Sequence, residues 1–155
     1  MIMNNERQVS ALQDLIIRLQ DSEKGYLEIK KATRFVDLKE KMQERADERH
    51  EMHRKLETHV RSLGHSAEVK TSILGELHRT LIDLKVNHFA DTYESISAEI
   101  NRGAETLISD YDKVFEDVVL DPTIRKTLVD QQKAIEQELA SISTLKTCFA
   151  LEPVS

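Results

Sequence analysis

The stretch Asp37 to Gly64, DLKEKMQERADERHEMHRKLETHVRSLG, decides the fold. Asp37 followed three residues later by Glu40 is the spacing of a capping box, which opens a helix. Leu38, Met42, Ala46, Arg49, Met52 or His53, Leu56, Val60 and Leu63 then recur at steps of three and four, the period of a single helix face. Gly64 closes the run with the residue type favoured just past a helix end. Between the stripe positions, Glu40 to Arg61 is dense in charges of both signs and reads as a solvated face with paired neighbours.

Upstream, Asn5 with Gln8 repeats the capping spacing, and Leu12, Leu15, Ile16, Leu19, Glu23, Tyr26 and Thr33 continue a helical stripe broken only by Glu23. The connection near Val36 and Asp37 is so short that these two helices must run antiparallel. Downstream, residues 65–90 read as a polar loop and a shorter amphipathic helix bearing Leu74, Leu77, Leu81 and Leu84. Asp91 with Glu94 predicts the next start, with Tyr93, Ile96, Ile100, Leu107, Tyr111, Val114 and Val118 on one face. Asp121 then caps, and Pro122 takes the first helical position, where its missing N–H does no harm. A last helix carries Leu128, Gln132, Ile135, Leu139, Ile142, Leu145 and Phe149, and the tail 150–155 is expected to fray.

The predicted fold is thus all-α, a single domain over 1–155 with its core in about residues 6–149. Four helices of about 26–28 residues, ~40 Å each, form two short hairpins, with a short fifth helix in the long crossover between helices two and three. That is the connectivity of a ferritin-like four-helix bundle; an up-down-up-down bundle needs short links throughout. Composition agrees: the 155 residues include 4 Gly, 2 Pro and no Trp, too little punctuation for a sandwich or a doubly wound sheet. A net charge of −6 without a basic stripe argues against nucleic-acid binding. No run reaches the ~18 apolar residues of a membrane span, and MIMNNERQ lacks the basic start and apolar core of a signal peptide. With Cys148 as the single cysteine, a cytoplasmic protein is expected. Ile73, Ile82 and Val86, at the margin of the crossover stripe, point to a homodimer.

Asp21 with Tyr26, the segment Arg61-Ser62-Leu63-Gly64, the crossover run Leu77-His78-Arg79-Thr80-Leu81-Ile82-Asp83-Leu84-Lys85, Tyr111 and Gln132 together resemble a bacterial family of four-helix-bundle proteins of unknown function in the ferritin-like superfamily. The resemblance spans about residues 10–146. It implies the bundle fold and a distant kinship with di-iron proteins such as rubrerythrin, and no established activity.

A di-iron bundle needs carboxylates and imidazoles converging from four helices, with Glu-x-x-His on two of them. If the first hairpin turns near residue 36 or 37, facing positions sum to about 73 and Glu23 lies level with Arg49, His50 and His53. If the second turns near residue 120, Glu105 faces Ile135 and Glu136. A mid-bundle metal belt of Glu23, His50 or His53, Glu105 and Glu136 follows, able to take iron or zinc. All 6 histidines, however, lie in the second helix and the crossover, and neither Glu136 nor Glu138 has His three residues on, so no complete di-iron centre and no resident cofactor are expected. The simpler reading makes Glu23, Arg49 and His53 a structural polar core, with Glu23 and Arg49 as an interior ion pair. A third reading gives His50, His53 and Glu57 an exposed zinc or nickel site. Tyr26 and Tyr111 read as core, Met42 and Met52 as gap-fillers, and Cys148 as a thiol at a frayed end. Two functions remain: a non-catalytic bundle acting as an interaction or stress-associated structural protein, or a metal-binding ferritin-like protein handling iron or peroxide.

Overall fold

Long amphipathic runs with few glycines and prolines leave the backbone one way to satisfy its own polar groups, and the chain coils accordingly. The computed structural model describes residues 2–68 and 92–150. Its elements are α1 (Ile2–Ala32), α2 (Val36–Ser62), α3 (Tyr93–Asp117), α4 (Pro122–Ala140), a 3₁₀ turn (Ile142–Lys146) and the short α5 (Thr147–Ala150). No strand occurs among the described residues, and no helix among them is long and apolar enough to cross a membrane. The crossover stripe of Leu74, Leu77, Leu81 and Leu84, the dimer residues Ile73, Ile82 and Val86, Asp91 and the tail 151–155 lie outside the described residues.

The first hairpin is antiparallel in the expected register. Lys30 Nζ donates to Gln43 Oε1 at 2.6 Å, and Arg49 Nε donates to Ser22 Oγ at 3.0 Å, so facing positions sum to about 73. Its turn is tied by Thr33 Oγ1, which accepts from the Phe35 N–H, and by Lys39 Nζ, which donates to the Lys30 carbonyl in the last turn of α1. In the second hairpin Gln132 Nε2 donates to Ile108 O at 3.1 Å and to Asp112 Oδ1 at 2.7 Å, again near the predicted register.

Helix ends depart from the capping predictions where tertiary demands take the side chain. Gln8 is no cap for α1, which already begins at Ile2; it is fully buried, and its Oε1 accepts the Asp121 N–H at 2.7 Å, closing the start of α4 from across the fold. Phe35 rather than Asp37 precedes α2, without a side-chain cap, and Asp37 sits in the first turn where the helix dipole favours its charge. Thr92 caps α3, its Oγ1 accepting from the Ser95 N–H. At the end of α2 the Gly64 N–H donates to Arg61 O and the His65 N–H to Val60 O, with Gly64 at φ +86, a Schellman closure.

The last helix is not continuous. It stops at Ala140 because Ser141 turns its hydroxyl onto the carbonyls of Gln137 and Glu138, and Thr144 and Thr147 repeat the habit three residues apart. The chain then bends over the α1–α2 turn. Phe149 packs edge-on against Phe35 and Tyr93, and Cys148, expected at a frayed end, is buried, where desolvation raises its thiol pKa.

Two apolar clusters result. One draws on all four long helices, with Leu12, Leu19, Leu56, Tyr111, Leu128 and Ile135 almost fully enclosed. The other joins Tyr26, Phe35, Met42, Ile96, Leu145 and Cys148. Each fully buried Leu or Ile contributes ~1.5–3 kcal/mol. Because a side chain at Gly64 would be forced into the left-handed region, Gly64→Ala should destabilise by ~1–2 kcal/mol in urea titration, and Gly64→Asn by less.

Candidate metal centre

Four chemically active side chains of α2 fall within an arc of ~100°: taking Arg49 as origin, His53 lies at about 40°, Glu57 at about 80° and His50 at about 100°. Burial follows that order. The side chains are 1%, 7%, 15% and 46% exposed respectively. The helix therefore points Arg49 into the interior and lays the histidines along its seam with α1.

Arg49 finds its carboxylate on α4. Its Nη1 and Nη2 donate to Glu138 Oε1 and Oε2 at 3.2 and 2.6 Å, a two-pronged pair, while its Nη2 also reaches Tyr26 Oη at 3.4 Å. Arg45 Nη1 lies 3.0 Å from the same Glu138 oxygen. The expected Glu23–Arg49 pair does not form. Shared level does not mean shared direction: Ser22, not Glu23, faces the guanidinium, and α4 supplies the carboxylate that the fork grips. Glu138 was legible as a candidate, since it stands three residues from Ile135 on the buried stripe.

Glu23 instead serves the histidines. Its Oε1 lies 2.7 Å from His53 Nε2 and its Oε2 3.1 Å from His50 Nδ1. The two rings stand edge to face, 4.8 Å apart. One ligand atom from each of Glu23, His50 and His53 lies within 4.8 Å of the others, a grouping able to hold a metal ion. Glu57 Oε1 approaches the opposite ring nitrogen, His53 Nδ1, at 3.7 Å, and that buried nitrogen has no hydrogen-bond partner. The other proposed belt members stay out. Glu136 is exposed, about 200° round α4 from Glu138, and Glu105 is exposed on α3, away from the face of Ala104 and Leu107.

Residues 7–117 match the family described as DUF2383, a domain of unknown function. The chain belongs to this family. The DUF2383 match takes in α1, α2 and α3, hence Glu23, Arg49, His50, His53 and Glu57, and it ends before α4 and Glu138. No curated protein and no solved structure matches the chain.

Removing the guanidinium strands a largely buried carboxylate, so Arg49→Ala should cost ~3–5 kcal/mol in denaturant titration, whereas Arg49→Met with Glu138→Leu should come close to neutral. Glu48 shares a hydrogen bond with Glu138, and that bond, burial and the Glu138 charge push its carboxyl up to about 7. Burial works against the charged form of Glu138, yet the bonds from Glu48 and Arg49 and the positive charge of Arg49 and Arg45 hold its pKa low. For Glu48 the folded pKa exceeds the ordinary 4.5, so its contribution is complete below about 4.5 and is lost as pH rises through about 7. The melting temperature of the wild type relative to Glu48→Gln, both in chelator, should therefore fall from pH 5 to pH 8.

Proposed function

We propose that this DUF2383 domain is a ferritin-like four-helix bundle whose working feature is one divalent transition-metal ion, held between α1 and α2 by Glu23, His50 and His53. The connectivity is supported by two short links, Thr33 to Phe35 and Val118 to Asp121, against the long stretch between Ser62 and Tyr93. The observation that carries the metal reading is the unpaired, buried Nδ1 of His53. A neutral imidazole giving its Nε2 proton to Glu23 leaves Nδ1 as a bare acceptor opposite a second carboxylate. An ion on Nε2 moves the proton to Nδ1, which then donates to Glu57, the carboxylate–histidine–metal arrangement that fixes the tautomer and raises ligand basicity.

Two imidazoles and one carboxylate suit zinc or iron(II). Around a tetrahedral ion the donors stand roughly 3.3 Å apart. The 2.7 Å contact must open slightly and the 4.8 Å span must close, movements within the reach of side-chain rotation. Among the described residues a second ion of the di-iron kind finds no free interior carboxylate on α4, because Glu138 is already neutralised by Arg45 and Arg49. The domain is therefore better read as a single-ion binder than as a handler of peroxide. An interaction or stress-associated structural role fits the same fold and draws on nothing at this site.

Untagged protein, stripped with chelator, should take up one zinc ion per chain by titration calorimetry and melt at higher temperature when loaded. His50→Ala, which removes an exposed side chain, should weaken uptake about 100-fold or more while leaving the melt in chelator unchanged; Glu57→Gln should weaken it ~10-fold or more. Wild-type protein that takes up no zinc and no iron(II) would sink the reading.

A further inference from the structure

We propose that the ion held by Glu23, His50 and His53 keeps one position open to solvent, and that this position takes a small free anion in exchange for water. The inference rests on the metal reading and deepens it.

Among the described residues the site offers three donors, and zinc or cobalt takes at least four. The neighbouring polar groups are committed elsewhere. Glu57 faces His53 Nδ1, and the two nitrogens of one imidazole point away from each other, so a group on Nδ1 cannot reach an ion on Nε2. Ser22 Oγ accepts from Arg49 Nε, Tyr26 Oη accepts from Arg49 Nη2, and Glu138 is gripped by two guanidinium groups. Among the described residues no further side chain is placed to donate, and the fourth position is left to a ligand from solvent. The approach is from the His50 side, where the ring is 46% exposed, and not from the His53 side, where it is 7% exposed.

Charge selects the visitor. A divalent ion with the single Glu23 carboxylate keeps a net charge of +1, and behind it two guanidinium groups, Arg45 and Arg49, share the one Glu138 carboxylate, so that the interior layer does not offset that charge. Glu57, on the far side of the His53 ring, has its charge partly offset by Arg54 Nε at 3.8 Å. A neutral donor such as water gains little from that field, whereas a monodentate oxygen or nitrogen anion of the carboxylate or azide class gains from it directly. Three protein ligands with a replaceable fourth is also the pattern that separates working metal sites from closed structural ones. The exchange is a substitution: the anion forms a bond to the ion as the water leaves, with no change of oxidation state.

Cobalt(II) makes the exchange visible, because its absorption bands report coordination number and ligand identity. Chelator-stripped protein loaded with one cobalt(II) per chain is titrated with sodium azide and, separately, with sodium acetate. The expected result is a saturable change in the visible bands with one azide per cobalt, the same at all protein concentrations, and a sedimenting mass unchanged by cobalt. Bands that ignore azide and acetate in large molar excess would show a closed site and overturn the inference while leaving the metal reading intact. Azide effects that weaken with protein concentration, together with a cobalt-dependent dimer, would assign the fourth position to a second copy of the chain and overturn it equally. Failure of cobalt, zinc and iron(II) all to bind would remove the metal reading beneath it.

Discussion

A guanidinium almost wholly removed from water is the constraint around which the rest of the interior is arranged. Desolvating Arg49 costs several kcal/mol unless its donors are matched, and in a helical protein the matching groups must come from other helices. Ser22 and Tyr26 supply them from α1, and Glu138 supplies a carboxylate from α4. The pair therefore ties the first hairpin to the second at one depth, and the polar layer divides the apolar interior into its two clusters. A neighbouring link does the same work without charge: the Tyr111 hydroxyl donates to Gln131 Oε1, and Gln131 Nε2 donates to the Met52 carbonyl. Slippage of either hairpin by one residue would break both, so these contacts set register more than they add stability.

That constraint also fixes the candidate site. With Arg49 aimed inward, the helical repeat leaves His53, Glu57 and His50 no choice but to fan outward along the α1 seam. Glu23 sits one position beyond Ser22 and so meets the histidines in place of the guanidinium. The interior ion pair and the metal-ligand group are two readings of the same turn of α2, separated by rotation about its axis. Their division of labour follows from burial: the group that needs complete pairing lies deepest, and the group that would exchange ligands lies nearest the solvent.

Much of this was legible in the sequence. The stripe of Leu38, Met42, Ala46, Leu56 and Val60 located α2, Gly64 marked its end, and the antiparallel sum placed Glu23 level with Arg49, His50 and His53. Depth along a helix comes from counting residues. Direction around it depends on which partner wins a side chain, and that competition involved Glu138, 89 residues from Arg49 in sequence. Gln8 shows the same limit: its spacing from Asn5 satisfied a local rule, while a backbone N–H at Asp121 claimed it. Hydroxyl residues past Glu138 carried a local signal for the break in α4, yet the apolar period of Ile142, Leu145 and Phe149 continued through it, because the 3₁₀ turn preserves the stripe while changing the path.

The position of that break bears on the site. Ser141 ends α4 one turn beyond Glu138, and the carbonyl of Glu138 is one of the two its hydroxyl satisfies. A helix running straight on would carry Leu145 and Phe149 past the α1–α2 turn. The bend brings them over it, sealing the end of the hairpin from which Glu23 and the histidines project. The ligands themselves all come from α1 and α2, joined by a link of three residues. An ion at the seam would thus clamp one hairpin that is already closed, whereas docking of the second hairpin depends on Arg49 and Glu138. Uptake of an ion at this seam would therefore be separable from assembly of the fold, and an ion there could exchange without the interior opening.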